Sequence, residues 1–358
     1  MMDIRLFKEM LAIDSTSGQE EGFVDFLVGR LKTSHNKVER FDGVPNILIS
    51  WGEPNVVFCT HLDTVPPYIA PEFDDHGEVR GRGTCDAKGQ IFAMWEACKA
   101  LESKGYDGFA LLLLSGEETG SYGAKAFREQ HPGAEWVIVG EPTDNCMASA
   151  AKGTKSFEVT FTGKAFHSGY PQFGVSAVEL FNDFVNALRS IRFPQDETLG
   201  ETTWNIGKLL SDNPQNVLSD RLTCRVYFRT TFESDEMVCN VMKNMAGEDA
   251  KLRFGRPRVQ DGSDVVAKDV APWQKAMSVK AFGGDCPSRF EVLEGFESKP
   301  VAFGSDAPQL TNFSRKILCG PGSILVAHRD DEHILLKDIE TAVANYIRIF
   351  ETINRQDI

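Results

Sequence analysis

Short apolar runs that end in polar loops mark the first half of the chain. Asn46–Ser50, Val56–Thr60, Ala110–Leu114 and Trp136–Val139 are nearly continuous in apolar residues. Such runs suit strands of an α/β sheet covered on both faces. Before them, Phe23, Phe26, Leu27 and Leu31 recur at helical spacing. Ser17-Gly-Gln-Glu20 ahead of that helix fits a capping box, in which a serine takes an orphan amide and a glutamate reaches back.

After residue 150 the periodicity shifts. Phe157, Val159 and Phe161 alternate with polar residues, as in a half-buried strand. Ala177, Leu180, Phe181, Phe184, Leu188 and Ile191 trace an amphipathic helix. A strand is predicted around Thr203–Leu209, and another with Leu222, Cys224, Val226 and Phe228 on one face. Asp235–Ala246 reads as a helix capped by Ser234, with Leu252–Val259 as the last strand. This β-α-β-β-α-β order is the split βαβ motif. From about Asp264 the chain returns to the first domain and ends in a helix carrying Ile339, Val343, Tyr346, Ile347 and Phe350. The expected organisation is a discontinuous α/β domain, residues 1–152 and 264–358, with a mostly parallel mixed sheet. Residues 153–263 form an inserted βαββαβ domain.

The length of 358 residues supports two domains, and 42% hydrophobic with 25% charged residues is ordinary globular composition. The 38 basic and 52 acidic residues leave a net charge of −14, which opposes nucleic acid and anionic membrane. No apolar run approaches the roughly 20 residues of a bilayer span. The N-terminus lacks the signal-peptide pattern, so a cytoplasmic location is expected. Eight cysteines without a C-x-x-C pair read as reduced thiols.

Candidate chemistry gathers where three of the apolar runs end, which is where open α/β sheets place ligands. His61 and Asp63 stand two apart at one strand end, and residues two apart in extended backbone point the same way. A carboxylate there can take one imidazole N–H and free the other nitrogen for a metal, although a plain hydrogen-bonded loop pair has the same spelling. Asp86, in Gly81-Arg-Gly-Thr-Cys-Asp86-Ala-Lys-Gly89, precedes a helical stretch over Gln90–Leu101 and also suits an N-cap. Glu117 and Glu118 follow the leucine run Leu111–Leu114 directly. Adjacent carboxylates repel unless a cation or a proton separates them. One can ligate metal while the other shuttles protons. Glu141 closes another strand, and His328 and His333 lie far downstream. Five ligands, His61, Asp86, Glu118, Glu141 and His328, exceed one catalytic zinc and suit a two-metal site of zinc, cobalt or manganese. Asp63 and Glu117 are its helpers.

These pieces, in order, resemble the M20 metallopeptidase family: His61-Leu-Asp63-Thr-Val-Pro, Gly81-Arg-Gly-Thr-Cys-Asp86-Ala-Lys-Gly, Gly116-Glu117-Glu118-Thr-Gly, Gly140-Glu141-Pro-Thr, Gly163-Lys-Ala-Phe-His167-Ser, and Gly320-Pro-Gly with His328-x-x-x-Glu332. The resemblance spans nearly the whole chain. It implies a zinc-peptidase-like domain in which Asp86 bridges two divalent metals, zinc first. His61 and Glu141 would complete one metal, and Glu118 with His328 the other. Asp63 would orient His61, and Glu117 would be the general base. His333 matches no ligand position and is read as structural.

The resemblance further implies that the inserted domain is a lid and dimerisation domain of a homodimer. From there His167 would reach the neighbouring active site and stabilise the oxyanion. Asn216, Arg229 and Ser305 would hold substrate. Periodicity places Arg229 with Thr223, Arg225 and Tyr227, opposite the apolar face of its strand, free to fork onto a carboxylate. Tyr227 stands where the family usually has aspartate. Phe303-Gly-Ser-Asp306-Ala-Pro resembles the loop of acetylornithine deacetylases within the family, which favours an N-acetyl- or N-succinyl-ornithine deacylase of arginine biosynthesis. Succinyl-diaminopimelate desuccinylase, N-acetyl-lysine deacetylase and dipeptidase are the alternatives. The same ligand set could serve a two-metal phosphoesterase, but no Lys/Arg cluster accompanies it. A non-catalytic interaction protein would leave Glu117 without a purpose.

Overall fold

The computed structural model describes residues 2–246 and 271–356. The chain divides into two compact units. The first comprises Met1–Ser149, Arg289–Val301 and Ser305–Ile358; the second, Ala150–Ser288 with Ala302–Gly304.

The first unit is built on a six-stranded mixed sheet in the order Lys37–Arg40, Ile47–Trp51, Phe109–Leu114, Val56–His61, Trp136–Val139, Arg315–Leu318. The last four strands run parallel, and the first two pair antiparallel. The predicted runs fall on these strands to within a residue or two. Leu111 to Leu114 are wholly buried, as their continuous apolar run predicts. At about 2 kcal/mol per buried leucine side chain, this strand is a principal source of core energy. The helix Lys88–Ser103 is buried over nearly its full length, and the terminal helix Leu336–Gln356 contributes Ile339, Tyr346, Ile349 and Phe350 to the same core. A small sheet joins Glu72–Phe73, Glu78–Arg80 and His333–Leu335. It brings the downstream segment around residue 330 to the loop after residue 80, with the Gly81 amide donating to the Glu332 carbonyl at 2.9 Å.

The second unit is a four-stranded antiparallel sheet in the order Thr203–Leu210, Arg221–Thr230, Gly153–Thr162, Met277–Ala281. Helices Ala177–Ser190 and Asp235–Asn244 contribute Leu180, Phe184, Val238 and Met242 to a core shared with Phe157, Phe161, Val226 and Phe228. The burial of Arg221–Thr230 alternates, with Leu222, Cys224, Val226 and Phe228 inward and Arg229 on the other face. The predicted strand at Leu252–Val259 lies outside the described residues. The strand that pairs with Gly153–Thr162 on its free edge is Met277–Ala281, and the unit runs to Ser288, beyond residue 263.

Two predicted caps take other roles. The helix after Ser17 starts at Glu21, and Ser17 makes no cap bond to it; its hydroxyl donates to Asp63 Oδ2 at 2.7 Å. Glu20 accepts instead from the Tyr122 hydroxyl at 2.9 Å. Ser234 does stand at the N-cap position but makes no side-chain cap bond; its Oγ accepts from the Thr231 amide and the Thr202 hydroxyl. No described helix is long and apolar enough to cross a membrane. The eight cysteines are free thiols, and five of them are buried.

Candidate functional site

Three strand ends of the first unit present acids and a histidine at one edge of the sheet. His61 ends the strand Val56–His61, Glu117 and Glu118 follow Phe109–Leu114, and Glu141 follows Trp136–Val139. Asp86 arrives on the loop before the helix Lys88–Ser103, with a cis peptide to Ala87. His328 arrives from the C-terminal segment, in the left-handed region at φ 64°. Asp86 is not an N-cap, since that helix has no side-chain cap bond and Asp86 faces the histidines.

Two groups of potential ligand atoms each lie within 4.8 Å: His61, Asp86 and Glu141, and Asp86, Glu118 and His328. Asp86 belongs to both. Its Oδ1 is 2.9 Å from His61 Nε2, and its Oδ2 is 3.2 Å from His328 Nε2, which is 2.8 Å from Glu118 Oε1. A third such group joins His61, Glu117 and Glu118. One imidazole and one carboxylate on each side of a shared carboxylate fit a pair of divalent cations by donor chemistry. His61, Asp86 and Glu141 are almost fully buried, while His328 is half exposed.

The electrostatics express the same crowding. Burial pushes Glu117 and Glu141 well above the usual carboxylate range, His61 draws both back, and Asp86, Asp306 and each other's neighbours add to the rise. Burial would lower His61, but Asp63 and Asp86 outweigh it and hold the imidazole well above its ordinary value. His328 is pushed up to about 10 by hydrogen bonds to Asp86 and Glu118. Burial disfavours the Asp86 carboxylate, yet the two histidines hold its pKa low. Concentrated acids that share protons with two histidines make a site with high demand for positive charge.

Asp63 does more than face His61. Its backbone carbonyl takes the His61 Nδ1 position at 2.9 Å, while its carboxylate is 3.5 Å from that nitrogen. The carboxylate accepts the Glu117 amide at 3.0 Å, the Glu118 amide at 3.2 Å and the Ser17 hydroxyl. Gly116 makes this turn possible: φ is +67°, and a Cβ there would overlap the Tyr122 ring. On the other side, Glu332 Oε1 accepts the amides of Cys85 and Asp86 at 3.0 Å each, and its Oε2 accepts from Arg82 at 2.6 Å. Arg82 and Glu332 are both buried. His333 is spent locally, with Nδ1 at 2.8 Å from the Asp331 carbonyl.

Sequence reasoning missed Ser17, Arg82 and Asp306 as parts of this region. Asp306 is buried, and its charge is felt by Glu117 and Glu141. Ser305 beside it is also buried, with Oγ accepting the Ala307 amide at 3.3 Å.

In the second unit the structure brings His167 and Asn216 together. Residue 167 bridges residue 217, and the Ser168 amide donates to the Asn216 carbonyl at 2.9 Å. The exposed His167 ring accepts the Gly169 amide at Nδ1, 3.0 Å, which leaves Nε2 to carry the proton of the neutral ring. Arg229 lies on the polar sheet face with its guanidinium 5.1 Å from the Tyr227 ring centre.

The chain belongs to the peptidase family M20/M25/M40, whose model matches residues 57–352. It is thereby a hydrolase acting on amide or peptide bonds. A probable carboxypeptidase of Emericella nidulans is 30% identical over 97% of this chain and 88% of its own length. A tripeptidase of Staphylococcus aureus superposes with a TM-score of 0.78 at 19% identity, covering 98% of both chains. An M20 family metallo-carboxypeptidase of Sulfolobus solfataricus gives 0.73 at 16% identity, over 98% of this chain and 99% of that one. The mixed α/β fold is therefore that of M20 peptidases.

Proposed function

We propose that the protein is a two-metal exo-amidase that frees an amino acid from its N-acyl group, with N2-acetyl- or N2-succinyl-L-ornithine as substrate. The observation that carries the two-metal reading is the pair of donor groups sharing Asp86. His61, Asp86 and Glu141 would hold one cation and Asp86, Glu118 and His328 the other, zinc first. Bound cations there would acidify water and polarise an amide carbonyl. Glu117, whose pKa burial raises, takes a proton from the attacking water and passes it to the departing amine. Asp63 holds Glu117 at the point of transfer through its amide. His167 donates from Nε2 to the oxyanion of the tetrahedral intermediate. Arg229 forks onto the α-carboxylate, and Asn216 and Ser305 contact the remainder of the substrate. The second unit acts as lid and dimerisation domain of a cytoplasmic homodimer, which presents His167 to the neighbouring site.

The likeness of Phe303-Gly-Ser-Asp306-Ala-Pro to the acetylornithine deacetylase loop supports ornithine. A second reading, a carboxypeptidase or dipeptidase, is favoured by the relatives' names, among them the probable carboxypeptidase of Emericella nidulans. Both readings cut an amide beside a free α-carboxylate. The test is a competition assay with zinc or cobalt, in which N-acetyl- and N-succinyl-ornithine, -diaminopimelate and -lysine compete with dipeptides under mass spectrometry. Ornithine released first supports the deacylase, and the co-product names the acyl group. Preferential loss of a dipeptide selects the second reading. Silence toward the whole panel with metal bound rejects both.

A further inference from the structure

The donors of the two proposed cation positions are held in place by different means. His61 ends the strand Val56–His61, and Glu141 follows the strand Trp136–Val139, its parallel neighbour. Two further bonds fasten Gly140 to the first of these strands. Its amide donates to the Cys59 carbonyl at 2.8 Å, and its carbonyl accepts the Thr60 hydroxyl at 2.9 Å. His61 and Glu141 are both almost fully buried. The sheet itself therefore sets the spacing of these two donors.

His328 has no strand beneath it. It lies between the strands Arg315–Leu318 and His333–Leu335, half exposed, at φ 64°. A non-glycine residue keeps such a backbone only where its surroundings fix it. The Arg82 guanidinium supplies that hold. Its Nη1 donates to the Arg329 carbonyl at 3.1 Å and to Glu332 Oε2 at 2.6 Å, and its Nε donates to the Pro67 carbonyl at 3.3 Å. Glu332 Oε1 in turn accepts the Cys85 and Asp86 amides at 3.0 Å each. One buried ion pair thus fastens the residue after His328 on one side and the Asp86 amide on the other.

We infer that Arg82 and Glu332 are positioning residues for one cation position alone, that of Asp86, Glu118 and His328, because their clasp seats His328 against the other two donors. This role rests on the two-metal reading above and goes beyond it in giving the two positions separate supports. Without the clasp, the His328 backbone must be ordered by the incoming ion, and that ordering weakens binding. The spacing of His61 and Glu141 stays with the sheet, so the first position keeps its affinity.

The experiment titrates zinc into the chelator-stripped protein by calorimetry, with the melting temperature of each stripped variant as a check on folding. His328→Ala removes a donor of the second position only, so it marks which of the two uptake steps belongs there. Arg82→Met combined with Glu332→Gln removes both buried charges together and leaves a glutamine carbonyl to accept at Asp86. This double variant keeps the other step near the wild-type affinity and weakens the marked step about 10–100-fold. Arg82→Lys, which keeps the charge without the fork, shows a smaller loss of the same step. Two steps weakened alike, or a folded variant with neither weakened, overturns the role of the clasp. If the double variant does not melt cooperatively, Arg82→Lys is judged by the same two outcomes. A wild type that takes up a single zinc overturns the two-metal reading and the clasp with it, a result distinct from a clasp that fails while two ions bind.

Discussion

The Asp63 carboxylate accepts the backbone amide of Glu117 at 3.0 Å, so the residue that faces the first histidine also fixes the proposed general base. The same carboxylate takes the Glu118 amide and the Ser17 hydroxyl. Burial would raise its pKa, but the His61 imidazole, the Ser17 hydroxyl and the Glu117 amide hold it below the usual carboxylate value. One ionised group thus positions a metal-ligand candidate and a proton-transfer candidate together.

Asp63→Asn tests this coupling. An amide side chain offers one carbonyl oxygen where two amides and a hydroxyl need acceptors, and its NH2 group opposes one of them. Changes to residues that orient ligands typically cost about 10–100-fold in metal affinity or activity. Both zinc affinity and kcat should therefore fall in Asp63→Asn. Ser17→Ala, which removes a single hydroxyl, should show the same pattern at smaller amplitude. Zinc titration together with steady-state kinetics provides the check, and a loss confined to zinc affinity would break the link to Glu117.

Glu117→Gln should bind metal at near wild-type affinity and lose turnover. The side chain keeps its shape, and the main-chain bond to Asp63 is untouched. Loss of a positioned base costs roughly 10²–10⁴-fold. Metal content by emission spectroscopy and turnover on the best substrate separate the two properties. An active Glu117→Gln would remove Glu117 from the base role.

Glu332 holds the Asp86 loop through two amides and pairs with Arg82, 250 positions earlier in the chain. Removing one member of a buried ion pair costs about 3–5 kcal/mol, because the survivor is left charged and unpaired. Glu332→Ala should be strongly destabilised in urea, and Glu332→Gln less so. Arg82→Met combined with Glu332→Gln should recover part of the loss, a coupling that a double-mutant cycle measures.

Proton and metal binding should oppose each other in this site. His61, His328, Glu117 and Glu141 all have raised pKa values, so the folded, metal-free chain binds more protons than the unfolded chain as pH rises through their range. For His328, the stabilisation is complete below its ordinary value of 6.5 and is lost as pH climbs towards about 10. Divalent cations need these groups deprotonated, so their contribution moves the opposite way. The gap in melting temperature between zinc-loaded and chelated protein should widen from about pH 6 to about pH 9. Zinc uptake should also release protons, read by calorimetry in buffers of different ionisation enthalpy. A constant gap with no proton release would exclude the competition.

The strands and the ligand candidates were legible because each leaves a local mark. Leu111–Leu114 is a continuous apolar run, and Glu117 and Glu118 follow at once. His61 and Glu141 likewise sit where a buried run stops. Ser17, Arg82 and Glu332 leave no such mark, since their work depends on partners 46 to 250 positions away. Ser17 even carries a false local signal: its spacing to Glu20 spells a capping box, yet a buried carboxylate outcompetes a helix amide for its hydroxyl. In the second unit, alternation located the face of Arg229 but not its uncharged cross-strand neighbours Thr154 and Thr203, which need the register of two neighbouring strands.

Lys88, two residues after Asp86, is buried beneath the first helix. Its Nζ donates to the carbonyls of Met10 and Ile13 and stands 4.5 Å from the Phe23 ring centre. Burial lowers its pKa to about 7, against 10.5 in an exposed lysine. The unfolded chain therefore binds the extra proton between these values, and this residue's contribution to stability rises with pH across that window. Lys88→Met removes the titration and leaves two carbonyls without a donor, a cost of about 1–3 kcal/mol each at most. The variant should consequently be closer to wild type in stability at pH 7 than at pH 10. Urea unfolding of both proteins at the two pH values tests this, and a difference that is the same at both, or larger at pH 7, would show that Lys88 keeps its proton throughout.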